Sequence, residues 1–458
     1  MWRPKLKQRR HLTNEILRVL ESDIDSGRLA PGEQLPTHRE LAEHLQVALG
    51  TVTRAYTLAQ AQGLVTGTTG RGTFVAPPAA APTSIIDFSR NLVNRDPRDG
   101  NIRAQLAVFG DPGQAALLLD EEQDPAGAME HRVAAAEWIK RAGSTAAGYA
   151  PAAEDIVITS GVQHAMHTIL ATIAKRGDVV LTESLTFAGI KAIAALQGFD
   201  LRGLPMDSEG LDAQAFEDAA KRGAKFLYVT PTLHNPTTIT MPARRRKEIA
   251  KIAEAHGVAI LEDDVLGLFA PEAPLPIAAH APGQTYYLVS TSKSLAPGLR
   301  IGYAVCPHAA APGSMATEIA NSVRTTVWET SPLMSALVAR WLTNGTAARI
   351  IAFKREEVAA RREIAKHILP RVALPPAHSP HWWISLPAAW RADDFAAECR
   401  NRGVRLSPAA AFAIRRENVP NSIRVCIGAV AKRERLQDGL QIVKEVLERG
   451  PTMHFTTT

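Results

Sequence analysis

Cysteine is scarce in this chain: three in 458 residues, at positions 306, 399 and 426. Their spacing matches no thiolate metal site, so reduced thiols in a cytoplasm are expected. Long apolar runs are missing as well. No window approaches the roughly 20 residues that a membrane-spanning helix needs. The start, MWRPKLKQRRHLTNEIL, has no apolar core of the kind a signal peptide carries. Neither sign of charge dominates: 52 Lys and Arg against 46 Asp and Glu leave +6, which permits a polyanionic partner without requiring one. What is present is an ordinary globular composition, 46% hydrophobic and 21% charged, long enough for two or three domains.

The stretch VAPPAAAPTS, residues 75–84, is rich in Pro and Ala, lacks apolar periodicity and reads as a semi-rigid linker. It divides the chain into residues 1–76, a linker over 77–86, and residues 87–458. In the long part, strand-like runs such as DIVITS and DVVLTE alternate with helical patterns such as VQHAMHTILATIAKRG, which predicts an α/β fold built on a mostly parallel sheet.

In the short part, Ile16, Val19, Leu20 and Ile24 mark one helix face, closed by Gly27. Thr37 and Glu40 form a T-x-x-E capping box opening a second helix over Leu41, Ala42 and Leu45. A third helix keeps Val52, Ala55, Tyr56 and Ala59 inward and stops at Gly63, and LVTGTTGRGTFVA reads as two short strands. Three helices and a hairpin outline a winged helix-turn-helix. The wording GRLAPGEQLPTHRELAEHL…TVTRAY…GLVTGTTGRGTFV resembles the DNA-binding domain of GntR-type transcription regulators. The resemblance implies that the third helix enters the major groove, with Arg39, Thr51 and Thr53 on DNA and Arg71 in the wing. Chemically, the arginines suit phosphate or guanine, and the threonines suit phosphate or a thymine methyl. One departure stands out: where such domains usually begin this helix with Ser-Arg, this chain has Ala48-Leu49.

In the long part, polar groups recur at the C-terminal ends of predicted strands. DIVITS ends a strand at Thr159 and opens a helix through Ser160, Gly161, Val162 and Gln163, a turn whose free N–H groups suit a phosphate. FLYVTPTLHNPT offers Asn235 after a strand ending at Thr230. VAILEDDVLG offers Asp263 after a strand ending at Leu261, and YYLVSTSKS offers Lys293, with Arg300 seven residues on. In an open α/β sheet such strand ends gather at one ligand crevice. The set fits pyridoxal 5′-phosphate: a neutral, desolvated lysine amine to condense with an aldehyde, a carboxylate for a pyridine nitrogen, an amide for a phenolic oxygen, and a guanidinium for a phosphate. His164 and His167 lack partners at metal-ligand spacing, so no metal is expected.

From about residue 87 onward the chain resembles fold-type I, aminotransferase-like enzymes: a mixed, mostly parallel sheet with helices on both faces and a smaller α+β C-terminal subdomain. Matched motif to motif, the resemblance implies that Lys293 carries the Schiff base, Asp263 faces the pyridine nitrogen and Asn235 reaches the phenolic oxygen. Ser160, Gly161, Val162, Gln163, Ser290 and Arg300 would cradle the phosphate. Phe187, in ESLTFAG, would stack on the ring, and Arg424, in SIRVCIGA, would hold an effector carboxylate.

The two modules together resemble the MocR, GabR-like regulators. That resemblance implies a PLP-responsive, cytoplasmic transcription factor, a homodimer in which the DNA-binding module of one chain packs over the other's large domain. A linker of ten residues reaches at most about 35 Å, which permits such crossing. Two departures point away from full transamination: Leu266 stands where the pattern has a tyrosine three residues after Asp263, and Glu122 where relatives carry one three residues before Pro125. The expected role is sensing of an amino compound by exchange at Lys293. A working aminotransferase, and a regulator that senses PLP itself to control vitamin B6 metabolism, remain open readings. The tail GPTMHFTTT suggests nothing.

Overall fold

In the short N-terminal part, apolar residues three and four apart build helices that bury one face each. A computed structural model describes residues 2–4, 12–25, 28–30, 32–61, 64–68, 72–75, 85–93, 118, 122–142, 148–308 and 314–451. The linker stretch 76–84, the stops at Gly27 and Gly63, Arg71 and the tail from residue 452 lie outside the described residues. By contacts the chain divides into two units, Met1–Ile85 and Ile86–Thr458.

The first unit contains α1 (Leu12–Asp25), α2 (His38–Leu45), α3 (Leu49–Ala61) and an antiparallel pair, β1 (Val65–Thr68) with β2 (Gly72–Val75). Ile16, Leu20, Leu41, Val52, Ala55, Tyr56 and Ala59 bury against one another. Burial of Ile16, Leu20, Leu41 and Val52 contributes about 1.5–3 kcal/mol each. Thr37 caps α2 with the reciprocal Glu40 contact that its sequence predicts. Gln46, in the left-handed region at φ 53°, ends α2 and turns the chain into α3.

The second unit is a seven-stranded sheet with helices on both faces. Its strands include β4 (Ile156–Thr159), β5 (Val179–Glu183) and β6 (Asp200–Leu204), and their order is Ile156–Thr159, Gly302–Val305, Thr285–Ser290, Ala259–Asp263, Phe226–Val229, Val179–Glu183, Asp200–Leu204. All run parallel except Gly302–Val305, antiparallel to both neighbours. Central strands are buried on both faces, so they read as continuous apolar runs. A second core gathers Phe88, Phe395, Leu436 and Leu440 around a three-stranded antiparallel sheet that includes Trp382–Ser385 and Ser422–Val425. The short strand β3 (Ile86–Asp87) pairs parallel with Val404–Arg405, so the first residues of this unit are sewn into the smaller C-terminal layer.

Two strand ends differ from the sequence reading. The strand expected to stop at Leu261 continues to Asp263, and the one expected to reach Thr230 closes at Val229. Buried Glu262 and Asp263 stay in register with Tyr287 and Leu288, because neighbouring strands pair backbone groups whatever the side-chain polarity.

Candidate functional site

The strand ends meet in a cavity of about 320 Å³, lined among others by Asn91, Val162, Gln163, Phe187, Asn235, Asp263, Leu266, Ser290, Lys293, Arg300 and Arg424. Lys293 sits in a single helical turn, Thr291–Ser294, directly after the strand Thr285–Ser290. Its Nζ donates to the backbone oxygen of Asn91 at 2.5 Å. Burial pushes its amine below the ordinary lysine value, and the Arg424 and Arg300 guanidiniums act in the same direction, against the attraction of Asp263 and Cys426. Buried Lys354 donates from Nζ to the backbone oxygen of Lys293 at 2.8 Å, bracing the turn from below.

Asp263 is buried at the end of its strand, and Tyr228 Oη donates to its Oδ2 at 2.6 Å. Burial raises its carboxyl to about 6, partly offset by the Tyr228 hydrogen bond. Glu183 and Glu262 are pushed to about 7 by the same cause. Asn235 Oδ1 accepts from Arg424 Nη1 at 2.6 Å, and the other Arg424 terminal nitrogen donates to the Ser89 backbone oxygen. The Arg424 guanidinium lies 4.6 Å from the Phe412 ring centre, and its buried Nε has no hydrogen-bond partner among the described residues.

At the opposite end, Gly161 at φ +91° turns β4 into the helix Val162–Ile173, whose N-terminus no side chain caps. Arg300, itself left-handed at φ 54°, donates to the Ser160 oxygen at 3.3 Å and to Ser292 Oγ at 3.2 Å. A Cβ on Gly161 would stand 2.7 Å from Arg300 Nη2, so only glycine leaves room for the guanidinium there. Ser290 Oγ accepts the Ser292 N–H at 3.0 Å. His164 Nδ1 accepts the Ser160 N–H at 3.2 Å; burial lowers its pKa to about 4, so it serves as a neutral brace. Among the described residues no cluster could hold a metal ion. Phe187 lines the cavity wall, and a Cβ on Gly189 would run into its ring and into Gln163 Oε1, so only glycine fits there.

All ten residues assigned to the cofactor by sequence therefore lie at one cavity or on the turn that closes it. Five further residues carry no signal in the sequence pattern: Tyr228, Ser292, Asn91, Ser89 and Lys354. Leu266, where a tyrosine was expected, is buried and packs with Val93, Leu233, Phe269 and Val358. Glu122 is exposed.

The arrangement fits pyridoxal phosphate on its charges. Among the described residues the cavity's buried carboxylate, Asp263, makes no ion pair, and Lys293, Arg300 and Arg424 make none either, though Lys293 and Asp263 attract each other at longer range. A ligand with a cationic ring nitrogen at one point and a phosphate at another satisfies both deficits.

In the first unit Arg39, Thr53 and Arg54 are exposed and Thr51 is half-buried. The Thr53 hydroxyl donates to the Leu49 oxygen at 3.1 Å and lies 3.2 Å from His38 Nδ1, so it is engaged within the helix pair.

The family described as aminotransferase class I and II matches residues 118–443, and the bacterial regulatory proteins of the gntR family match residues 12–75. The HTH-type transcriptional regulator YdeF of Bacillus subtilis is 26% identical, covering 98% of this chain and 97% of its own length. YisV of the same organism, likewise an HTH-type transcriptional regulator, is 31% identical over 81% of this chain and 82% of its own. Among solved structures, the α-aminoadipate aminotransferase LysN of Thermus thermophilus superposes with a TM-score of 0.68 at 24% identity, covering 86% of this chain and 98% of that one.

Proposed function

This chain belongs to the aminotransferase class I and II family and carries a gntR-family DNA-binding domain ahead of it, the MocR-like combination, and from that premise we propose a transcription regulator that responds to an amino compound through pyridoxal phosphate held on Lys293. The observation that carries the reading is that one cavity is lined by the carboxylate of Asp263 and by Lys293, Arg300 and Arg424, none of them in an ion pair among the described residues.

Pyridoxal phosphate supplies an aldehyde that condenses reversibly with primary amines. Lys293 offers such an amine, its pKa lowered by burial. Asp263 would hold a proton at the cofactor's ring nitrogen, with Tyr228 fixing which carboxylate oxygen faces it. The Ser160–Gln163 turn, Ser290 and Arg300 would bind the phosphate, Asn235 the phenolic oxygen, and Phe187 the ring face. Arg424 would take an effector carboxylate.

Lys293 and Arg424 hold the backbone oxygens of Asn91 and Ser89, in the segment that follows the joining residues 76–84 directly. An amine that displaces Lys293 from the cofactor would free its Nζ for the Asn91 oxygen, whereas a carboxylate that occupies Arg424 would compete with the Ser89 contact. This gives the effector a physical handle on the segment leading to the DNA-binding unit, as differential binding to two states requires. Leu266 supplies no hydroxyl from its position in the cavity wall, which favours sensing over turnover.

A visible absorption spectrum of the purified chain with added pyridoxal phosphate tests the anchor. The wild-type chain shows a band of lysine-bound cofactor, and Lys293→Ala shows only free cofactor. The same band in both proteins would remove Lys293 from the site.

A further inference from the structure

Where an arginine-led recognition helix would present a cation, α3 presents Leu49, 45% exposed and flanked by exposed Ala48 and Gly50. Its position is fixed from beneath. The Leu49 oxygen accepts from Thr53 Oγ1 at 3.1 Å, and that hydroxyl lies 3.2 Å from His38. The His38 ring sits edge-on to Tyr56 at 5.0 Å, and buried Tyr56 donates to the Pro36 oxygen at 3.1 Å. Leu49 is thus a large apolar side chain held out on a braced first turn, with Arg39 and Arg54 exposed nearby in sequence and without carboxylate partners among the described residues.

We infer that Leu49 reads the methyl group of a thymine in the major groove, so that the operator carries thymine where an arginine-led helix would select guanine. This deepens the DNA-binding role of the gntR-type domain rather than adding a new one. Thymine is the unmodified base whose major-groove edge carries a methyl group. Guanine and cytosine offer polar atoms there that a leucine would strip of water without replacing the hydrogen bonds. Arg39 and Arg54 can neutralise phosphates without reading bases, which leaves specificity at this position to the leucine.

The test is selection from a randomised duplex pool by the full-length, cofactor-loaded chain, comparing wild type, Leu49→Ala and Leu49→Arg. The wild-type consensus is then remade with deoxyuridine, which lacks only the methyl group, in place of each thymidine in turn. At one position per half-site the replacement should weaken wild-type binding about fourfold, the worth of one buried methyl. Leu49→Ala should be indifferent to the same replacement, and Leu49→Arg should move the selected base from thymine to guanine. Wild-type binding insensitive to every uracil replacement, or an unchanged consensus for Leu49→Arg, would overturn the inference.

Discussion

At the residue scale, the site depends on a carboxyl that is out of place in its surroundings. Asp263 is buried without an ion-paired cation among the described residues, and its folded value near 6 lies above that of an exposed aspartate. A raised carboxyl contributes stability that is fully present below its unfolded value and is lost as pH rises through the folded one. For the cofactor-free chain the loss falls between about pH 4 and 7 and amounts to about 3 kcal/mol, from a shift of roughly two units. Asp263→Asn lacks this term. Denaturant unfolding followed by tryptophan fluorescence, with six of the seven tryptophans in the second unit, should find the variant gaining on wild type as pH rises through this window. Parallel pH curves for the two proteins would mean that Asp263 is not the strained group. Lys293, Asp263, Asn235 and Arg300 could be singled out in the sequence because each follows an apolar run, whereas Arg424, inside the strand Ser422–Val425, was singled out only by the family resemblance. Tyr228 was not, because inside FLYV it reads as one more buried strand residue. Nor were Asn91 and Ser89, whose contacts to Lys293 and Arg424 close over 202 and 335 residues and use backbone oxygens that any side chain would supply.

At the element scale, local chemistry carried most of the fold. The capping box at Thr37 and Glu40 formed as written, and α3 buries the face that its spacing marks. Thr37→Ala removes the hydroxyl that accepts the Glu40 N–H and should destabilise α2 by about 1 kcal/mol. Hydrogen exchange of the backbone amides in His38–Leu45, measured in the full chain, should then quicken about fivefold. Unchanged exchange would show that tertiary packing alone holds the helix. Strand ends were less legible. Glu262 and Asp263 look like a turn in sequence, yet the backbone keeps its ladder through them. The antiparallel strand Gly302–Val305 was also hidden, since an apolar run carries no sign of its direction.

At the scale of the whole molecule, the chain joins a DNA-binding unit to a cofactor site through a short segment. The first residues beyond the joining stretch are held from two sides. Ile86 and Phe88 bond into the smaller C-terminal layer, and the backbone oxygens of Asn91 and Ser89 accept from Lys293 and Arg424. Sequence alone could name both modules but not this contact, because it depends on where residues far apart in the chain are brought together. Among the described residues no helix is long and apolar enough to cross a membrane.

The central claim, that occupancy of the Lys293 site governs DNA affinity, is tested most directly by binding of the full-length, cofactor-loaded chain to its selected duplex. Titrations with and without a panel of small amino acids, for wild type and Lys293→Ala, would separate the two units' contributions. The account predicts that at least one amine shifts wild-type affinity by about fivefold or more, the usual scale of allosteric coupling, and leaves Lys293→Ala unmoved. Equal shifts in both proteins, or none in wild type with any amine, would contradict it.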